Sequence, residues 1–188
     1  KSNHINNDTN INYGITSDEY IKEFEMWDKS FDSHNNGDEE NQRLMAFRMS
    51  IDHKVCEPIE TDRIKTLGEP VINGRVKGLA VSRAFGDFAF QPYVTDKPFM
   101  RSFLMQDHYK FLILACDGLF DVMSDQKAVD IVQEVIQSNS ETIEKEGLSE
   151  ILSRAASRLK EIAIGLGSND NVSICILKFW SNDKENIE

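Results

Sequence analysis

The chain has 188 residues, 40% of them hydrophobic, and sets 21 Lys and Arg against 32 Asp and Glu for a formal net charge of −11. Such a length can bury one core, and no apolar run approaches the ~18 residues that a bilayer-spanning helix needs, so no membrane span is expected. The acidic excess, present in the first fifty residues and in the remainder, argues against nucleic acid as a partner, because phosphate contacts need clustered Lys and Arg.

Residues 1–15 are a low-complexity segment with five Asn among the first fourteen residues. Their apolar area is too small to offset ordering entropy, and disorder is expected. Residues 16–42 read as a peripheral helix and a polar insertion. Thr16 and Glu19 have capping-box spacing, Tyr20, Phe24, Trp27 and Phe31 recur at helical intervals, and 33–41 (SHNNGDEEN) is a solvated loop. From 43 to 180 the pattern becomes that of a packed domain, with a polar tail over 181–188. Met45, Phe47, Met49 and Ile51 alternate with Leu44, Ala46, Arg48 and Ser50, which predicts a strand with one apolar face. A short helix follows between Glu60 and Leu67, with Ile64 and Leu67 inward and Gly68 as its stop.

Residues 111–116 (FLILAC) read as a strand covered on both faces, although periodicity alone leaves a buried helix open. Gly118 then lets the backbone turn and leaves Asp117 at the strand tip. Ser124 caps a helix whose inner face is Ala128, Val132, Val135 and Ile136, ending near Gln137. A polar link covers 138–146. A longer amphipathic helix carries Leu148, Leu152, Ala155, Leu159 and Ile162 until Gly165 and Gly167 end it. After a Gly-Ser-Asn turn, Asp170 and Asn171 precede a second apolar run, 172–177.

Each of the two runs therefore carries an acidic side chain at a strand end. If the strands are neighbours, the carboxylates converge, and like charges held close call for something positive between them. A hard divalent cation such as Mg²⁺ or Mn²⁺ answers that with oxygen ligands and several retained waters. Spacing alone leaves the plainer reading open, that Asp117 and Asp170 are ordinary turn residues. An EF-hand type of Ca²⁺ site is disfavoured, since 168–173 lacks the acidic ladder and closing Glu. The three cysteines are an odd count. Cys116 and Cys175 lie inside the apolar runs as small core residues, and the setting is expected to be reducing and intracellular, cytoplasmic or nuclear.

Residues 75–87 (RVKGLAVSRAFGD), 111–123 (FLILACDGLFDVM) and 167–173 (GSNDNVS) resemble, in order, three signature segments of the metal-dependent protein serine/threonine phosphatases, the PPM or type 2C class. Residues 49–54 (MSIDHK), with Arg63, Ile64 and Gly68, resemble the segment that precedes them. The resemblance covers 43–180 and implies an α+β fold, a β-sandwich flanked by helices of the four-layer αββα type. It also implies a binuclear Mg²⁺ or Mn²⁺ centre in which a water bridging the ions attacks phosphoserine or phosphothreonine in phosphorylated proteins.

Asp117 and Asp170 match the family's metal ligands and would act in catalysis through that water. Supporting roles fall to Gly118, Asn171, Asp121, Asp87 and Arg83. Asn171 would orient Asp170 or a metal-bound water, Asp121 would approach the site or accept hydrogen bonds from its turn, Asp87 would order a loop or ligate, and Arg83 would pair with a buried carboxylate. Residues 71–90 would lie over the active site. The family's acidic opening segment, its Asp-Gly-His-Gly loop and its Gly-Asp-Ser-Arg segment are not in this sequence. The chain is therefore read as the later half of a catalytic domain, incomplete at its N-terminal side and inactive alone, with the remaining ligands upstream. The alternative is a non-catalytic, pseudophosphatase-like signalling or binding module.

Overall fold

The structure is a computed structural model and describes residues 43–179, so the expectations for 1–42 and for the tail at 181–188 lie outside the described residues. The chain divides into two compact units, whose described parts are Met49–Arg101 and residues 43–48 with 102–179.

In the first unit, Pro58 opens helix α1 (Pro58–Thr66), where a missing N–H costs nothing. Ile64 closes over Val55, Val76 and Val94, with Phe90 and Tyr93 packed at the edge of that small core. Leu67, expected inward, is 43% exposed because it lies beyond the last helical residue. The inward positions fall instead to Ile59 and to Glu60, one turn before Ile64. Turns organise the rest. Asn73 and Gly74, then Lys77 and Gly78, have positive φ at both central positions. Ile72 with Arg75, and Val76 with Leu79, exchange backbone hydrogen bonds of 2.9–3.0 Å across them. Two-residue turns of this hand match the natural twist of paired chains.

The second unit holds a two-stranded antiparallel sheet, β1 (Phe111–Ala115) with β2 (Ile174–Lys178). Its register runs from Phe111 opposite Lys178 to Ala115 opposite Ile174. Between the strands come α2 (Asp117–Phe120), α3 (Asp125–Ser138), α4 (Ser140–Glu146) and α5 (Leu148–Gly165). Ser124 caps α3, its hydroxyl accepting from Lys127 N–H at 3.3 Å; such caps contribute about 1 kcal/mol. Residues 138–146, expected to be a polar link, include the short helix α4, and the ion pair between Arg154 and Glu146 ties its end to α5.

The core of this unit joins Leu119 and Met123 to Ala128, Ile131 and Val132 of α3 and to Ala155, Leu159 and Ala163 of α5. Phe111, Ile113 and Ala115 of β1 and Ile174 and Ile176 of β2 pack on it from one face of the sheet. Each buried aliphatic side chain contributes about 1.5–3 kcal/mol. The alternate residues face away. Leu114 is 50% and Leu177 46% exposed, and Cys175 is exposed as well. The expectations of a 111–116 strand covered on both faces and of Cys175 as a core residue are thus corrected, since among the described residues helices cover only one side of this pair.

The strand expected at 44–51 is also absent. Leu44 N–H donates to Gln133 Oε1 and Ala46 N–H to Gln126 Oε1, each at 2.9 Å, while Gln126 Nε2 donates to Leu44 O at 2.8 Å. Side chains of α3 therefore supply partners that the alternating pattern assigns to a neighbouring strand. Two arginines fasten the ends of the segment. Arg43 forms a two-pronged pair with Asp130 (3.0 and 2.8 Å), and Arg48 one with Asp125 (2.9 and 2.6 Å) while lying over the Phe120 ring at 5.3 Å.

Candidate metal centre at the paired strand ends

Antiparallel pairing places the C-terminal end of β1 beside the N-terminal end of β2, so Asp117, two residues beyond β1, and Asp170, four residues ahead of β2, are carried at the same end of the sheet. Asp117 opens α2, where its carboxylate complements the first turn. The route to Asp170 is set by the way α5 ends. Gly167, at φ 97°, donates to Ile164 O at 3.0 Å, and Ser168 N–H reaches Ala163 O at 3.0 Å. That pair of bonds closes the helix and turns the chain sharply.

The two acid-bearing segments then interlock. Cys116 N–H donates to Ser173 O at 3.2 Å. The Cys116 thiol donates to Asn171 O at 3.0 Å and accepts from Ser173 N–H at 3.2 Å. The Ser168 hydroxyl donates to Gly118 O at 2.7 Å. Gly118 is buried, and a Cβ there would stand 2.3 Å from Asn171 O, so only glycine admits the Asn171 backbone this closely. On the far loop, Asn171 N–H donates to Asp170 Oδ1 at 2.7 Å, which fixes one carboxylate oxygen. Asn171 thus holds Asp170 through its backbone amide. Asp121 ends α2, its N–H donating to Asp117 O at 2.8 Å.

Asp117 and Asp170 are both exposed. Water screens their repulsion, and the requirement for a cation that the sequence alone suggested is weaker than burial would make it. The donor set still suits a hard divalent ion, since Mg²⁺ accepts one or two carboxylates and keeps its remaining waters. Among the described residues no group of three or more His, Cys, Asp and Glu side chains is gathered as a metal would need.

Arg83 and Asp87 belong to the first unit. Arg83 has the buried carboxylate that its sequence setting asks for. Its Nε donates to Glu60 Oε1 at 3.1 Å and its Nη2 at 2.5 Å, and Nη1 reaches Lys97 O at 3.1 Å. Arg63 takes the other oxygen, Glu60 Oε2, at 2.9 Å, and its Nη2 also donates to Ser82 O and Tyr93 O at 3.0 and 2.9 Å. Burial alone drives the Glu60 carboxyl upward, but hydrogen bonds from Arg83, Ser82 and Arg63 outweigh it and hold the group at about 2. Asp87 has φ 50° and precedes the 3-10 turn Phe88–Phe90, with Phe90 N–H donating to Asp87 O at 2.8 Å. Sequence reasoning passed over Glu60, Cys116 and Ser168. Glu60, Cys116 and Ser168 find their partners only through tertiary pairing.

Comparison with known proteins follows the same segments. Residues 35–172 match the family model for Protein phosphatase 2C. The chain is 34% identical over 133 residues to Protein phosphatase 2C homolog 1 of Saccharomyces cerevisiae, covering 70% of this chain and 42% of that protein. It is 32% identical over 143 residues to Protein phosphatase 1B of Rattus norvegicus, covering 71% of this chain and 34% of that one. A solved structure of a C. elegans sex-determining protein matches with TM-score 0.57 at 27% identity, covering 71% of this chain and 32% of that chain. The chain spans 42% or less of the length of these relatives. Its mixed helices and strands are compatible with the fold of that structure. Because the family model takes in most of the sequence, including both aspartate-bearing segments, the chain belongs to the protein phosphatase 2C family.

Proposed function

We propose that this chain is the later part of a metal-dependent protein serine/threonine phosphatase domain, with residues 43–180 contributing to a four-layer αββα sandwich whose remaining strands and ligands come from the rest of a longer protein. The observation that carries this reading is the pairing of β1 with β2, which sets the Asp117-Gly118 turn against the Asp170-Asn171 loop. Asp117 and Asp170 would hold the ions, two per complete site. Bound Mg²⁺ or Mn²⁺ would neutralise charge on the phosphoryl oxygens and supply an activated water as nucleophile.

The chain's own residues orient and support. Asn171 N–H fixes one oxygen of Asp170, which leaves the other for a ligand. Asp117 sits in the first turn of α2. In the first unit, Glu60 with Arg63 and Arg83 fastens α1 to the chain at 82–97 and so holds the base of the 84–90 loop. Substrates would be phosphorylated proteins inside the cell, in cytoplasm or nucleus, and this piece alone would be inactive. Manganese-stimulated release of phosphate from a phosphoserine peptide by the full-length protein is the test. Activity that survives both Asp117→Asn and Asp170→Asn would remove the site assignment.

A binding module that keeps the fold without the chemistry is the second reading, favoured by the partial ligand set among the described residues. Translating the reading frame upstream of Lys1 separates the two, since the catalytic reading requires further acidic ligands there.

A further inference from the structure

We propose that the Cys116 thiol and the Ser168 hydroxyl are positioning residues that lock the Asp117 turn and the Asp170 loop into one register, so that the spacing of the two metal ligands is set by these side chains rather than by the sheet alone. The inference rests on the metal reading of the two aspartates and adds residues to it.

The sheet pairing ends early. Ala115 opposite Ile174 is the last pair of the ladder, and beyond it the chain carrying Asp117 enters a helix while the chain carrying Asp170 comes from a turn. One backbone bond, Cys116 N–H to Ser173 O at 3.2 Å, reaches past that pair, and exposed strand ends fray. Two side chains occupy the gap. The Cys116 thiol donates to Asn171 O and accepts from Ser173 N–H, so one sulfur touches the residues one and three positions after Asp170. The Ser168 hydroxyl, two residues before Asp170, reaches back to Gly118 O, the residue directly after Asp117. The contacts therefore bracket both aspartates. They close at the point where Gly118 lets the Asn171 backbone approach without a Cβ.

Sulfur suits the first position, because its size lets one side chain meet a carbonyl and an amide on the same loop. Neither side chain is itself a ligand in this arrangement. Their effect reaches a metal through Asp117 and Asp170, as side chains that orient metal ligands do, and losing such a partner typically costs 10–100-fold in affinity.

The test uses the full-length protein with Cys116→Ala, Ser168→Ala and the conservative Ser168→Thr. Manganese affinity is measured by titration calorimetry, alongside amide hydrogen exchange across 116–119, 168–173 and α3. Each alanine variant is expected to weaken Mn²⁺ binding by about 10-fold and to speed exchange in both segments together. Exchange in α3 should keep its rate, kcat at saturating metal should fall little, and Ser168→Thr should bind as the wild type does.

Unchanged Mn²⁺ affinity in both alanine variants overturns the proposal, and so does a loss of protection in α3 equal to that in the two segments. If Cys116→Ala does not fold, the contrast between Ser168→Ala and Ser168→Thr decides: weaker binding in the alanine variant alone supports the clamp, and equal binding in the two rejects it. If the wild type binds no Mn²⁺, the metal reading of the aspartates falls, and exchange alone judges the clamp: coupled acceleration in both segments supports it, independent rates reject it.

Discussion

Substituting Gly118 with Ala sets two effects against each other, and the structure says which wins. Gly118 lies inside α2, where alanine is the better helix former by about 1 kcal/mol. The new methyl would stand 2.3 Å from Asn171 O, 3.1 Å from Asn171 C and 3.4 Å from Val172 Cγ2, whereas side-chain carbons essentially never come within 3.0 Å of such atoms. The nearest obstacle is backbone, held from one side by the Cys116 thiol and linked onward to Asp170. The Asp170 loop must therefore move by about 0.7 Å or more, and overpacking of this kind costs about 1–3 kcal/mol. The net expectation is a loss of up to about 2 kcal/mol, together with weaker Mn²⁺ binding because the two aspartates separate. Thermal unfolding and Mn²⁺ titration of the full-length variant measure both. A Gly118→Ala protein as stable as the wild type, with unaltered Mn²⁺ dependence, would refute the close approach on which the site geometry rests.

Glu60→Gln leaves two guanidinium groups without their shared buried charge and should cost about 3–5 kcal/mol in denaturant unfolding, with Asp62→Asn, on the exposed side of the same helix, as a near-neutral control. Acid should act on the same group. The folded carboxyl titrates at about 2 against an ordinary 4.5, so its stabilisation is complete above 4.5 and is lost as pH falls from there through 2. Stability measured across that window should drop in the wild type and fall less steeply in Glu60→Gln. Gln126→Ala removes the bonds to Ala46 N–H and Leu44 O, at about 0.5–1.5 kcal/mol each, and should speed amide exchange at Ala46 while leaving β1 protected.

Much of the second unit was legible in the residues. The two apolar runs became β1 and β2, the Ser124 cap and the stripe through Ala128 and Val132 became α3, and the Gly167 signal ended the long helix as expected. Those signals are local, and local propensity and tertiary packing agree there. What was not legible depends on partners far along the chain. Alternation in 44–51 predicts a strand, and no pattern says that Gln126 and Gln133 will satisfy its backbone instead of another strand. The same holds for Glu60. Its burial follows from two arginines that converge on it, Arg63 three residues on and Arg83 twenty-three residues on. The site shows both cases. Asp117 and Asp170 stand out because each abuts an apolar run, whereas Cys116 and Ser168 read as a core residue and a turn residue until β1 and β2 are paired.

The most direct test of the central claim is manganese binding followed by the electron paramagnetic resonance signal of free Mn²⁺, titrated into full-length wild type, Asp117→Asn and Asp170→Asn. The expected result is saturable binding by the wild type that each substitution weakens by about 10-fold or more, with helical content unchanged in both variants. Equal Mn²⁺ affinity in all three proteins would contradict it.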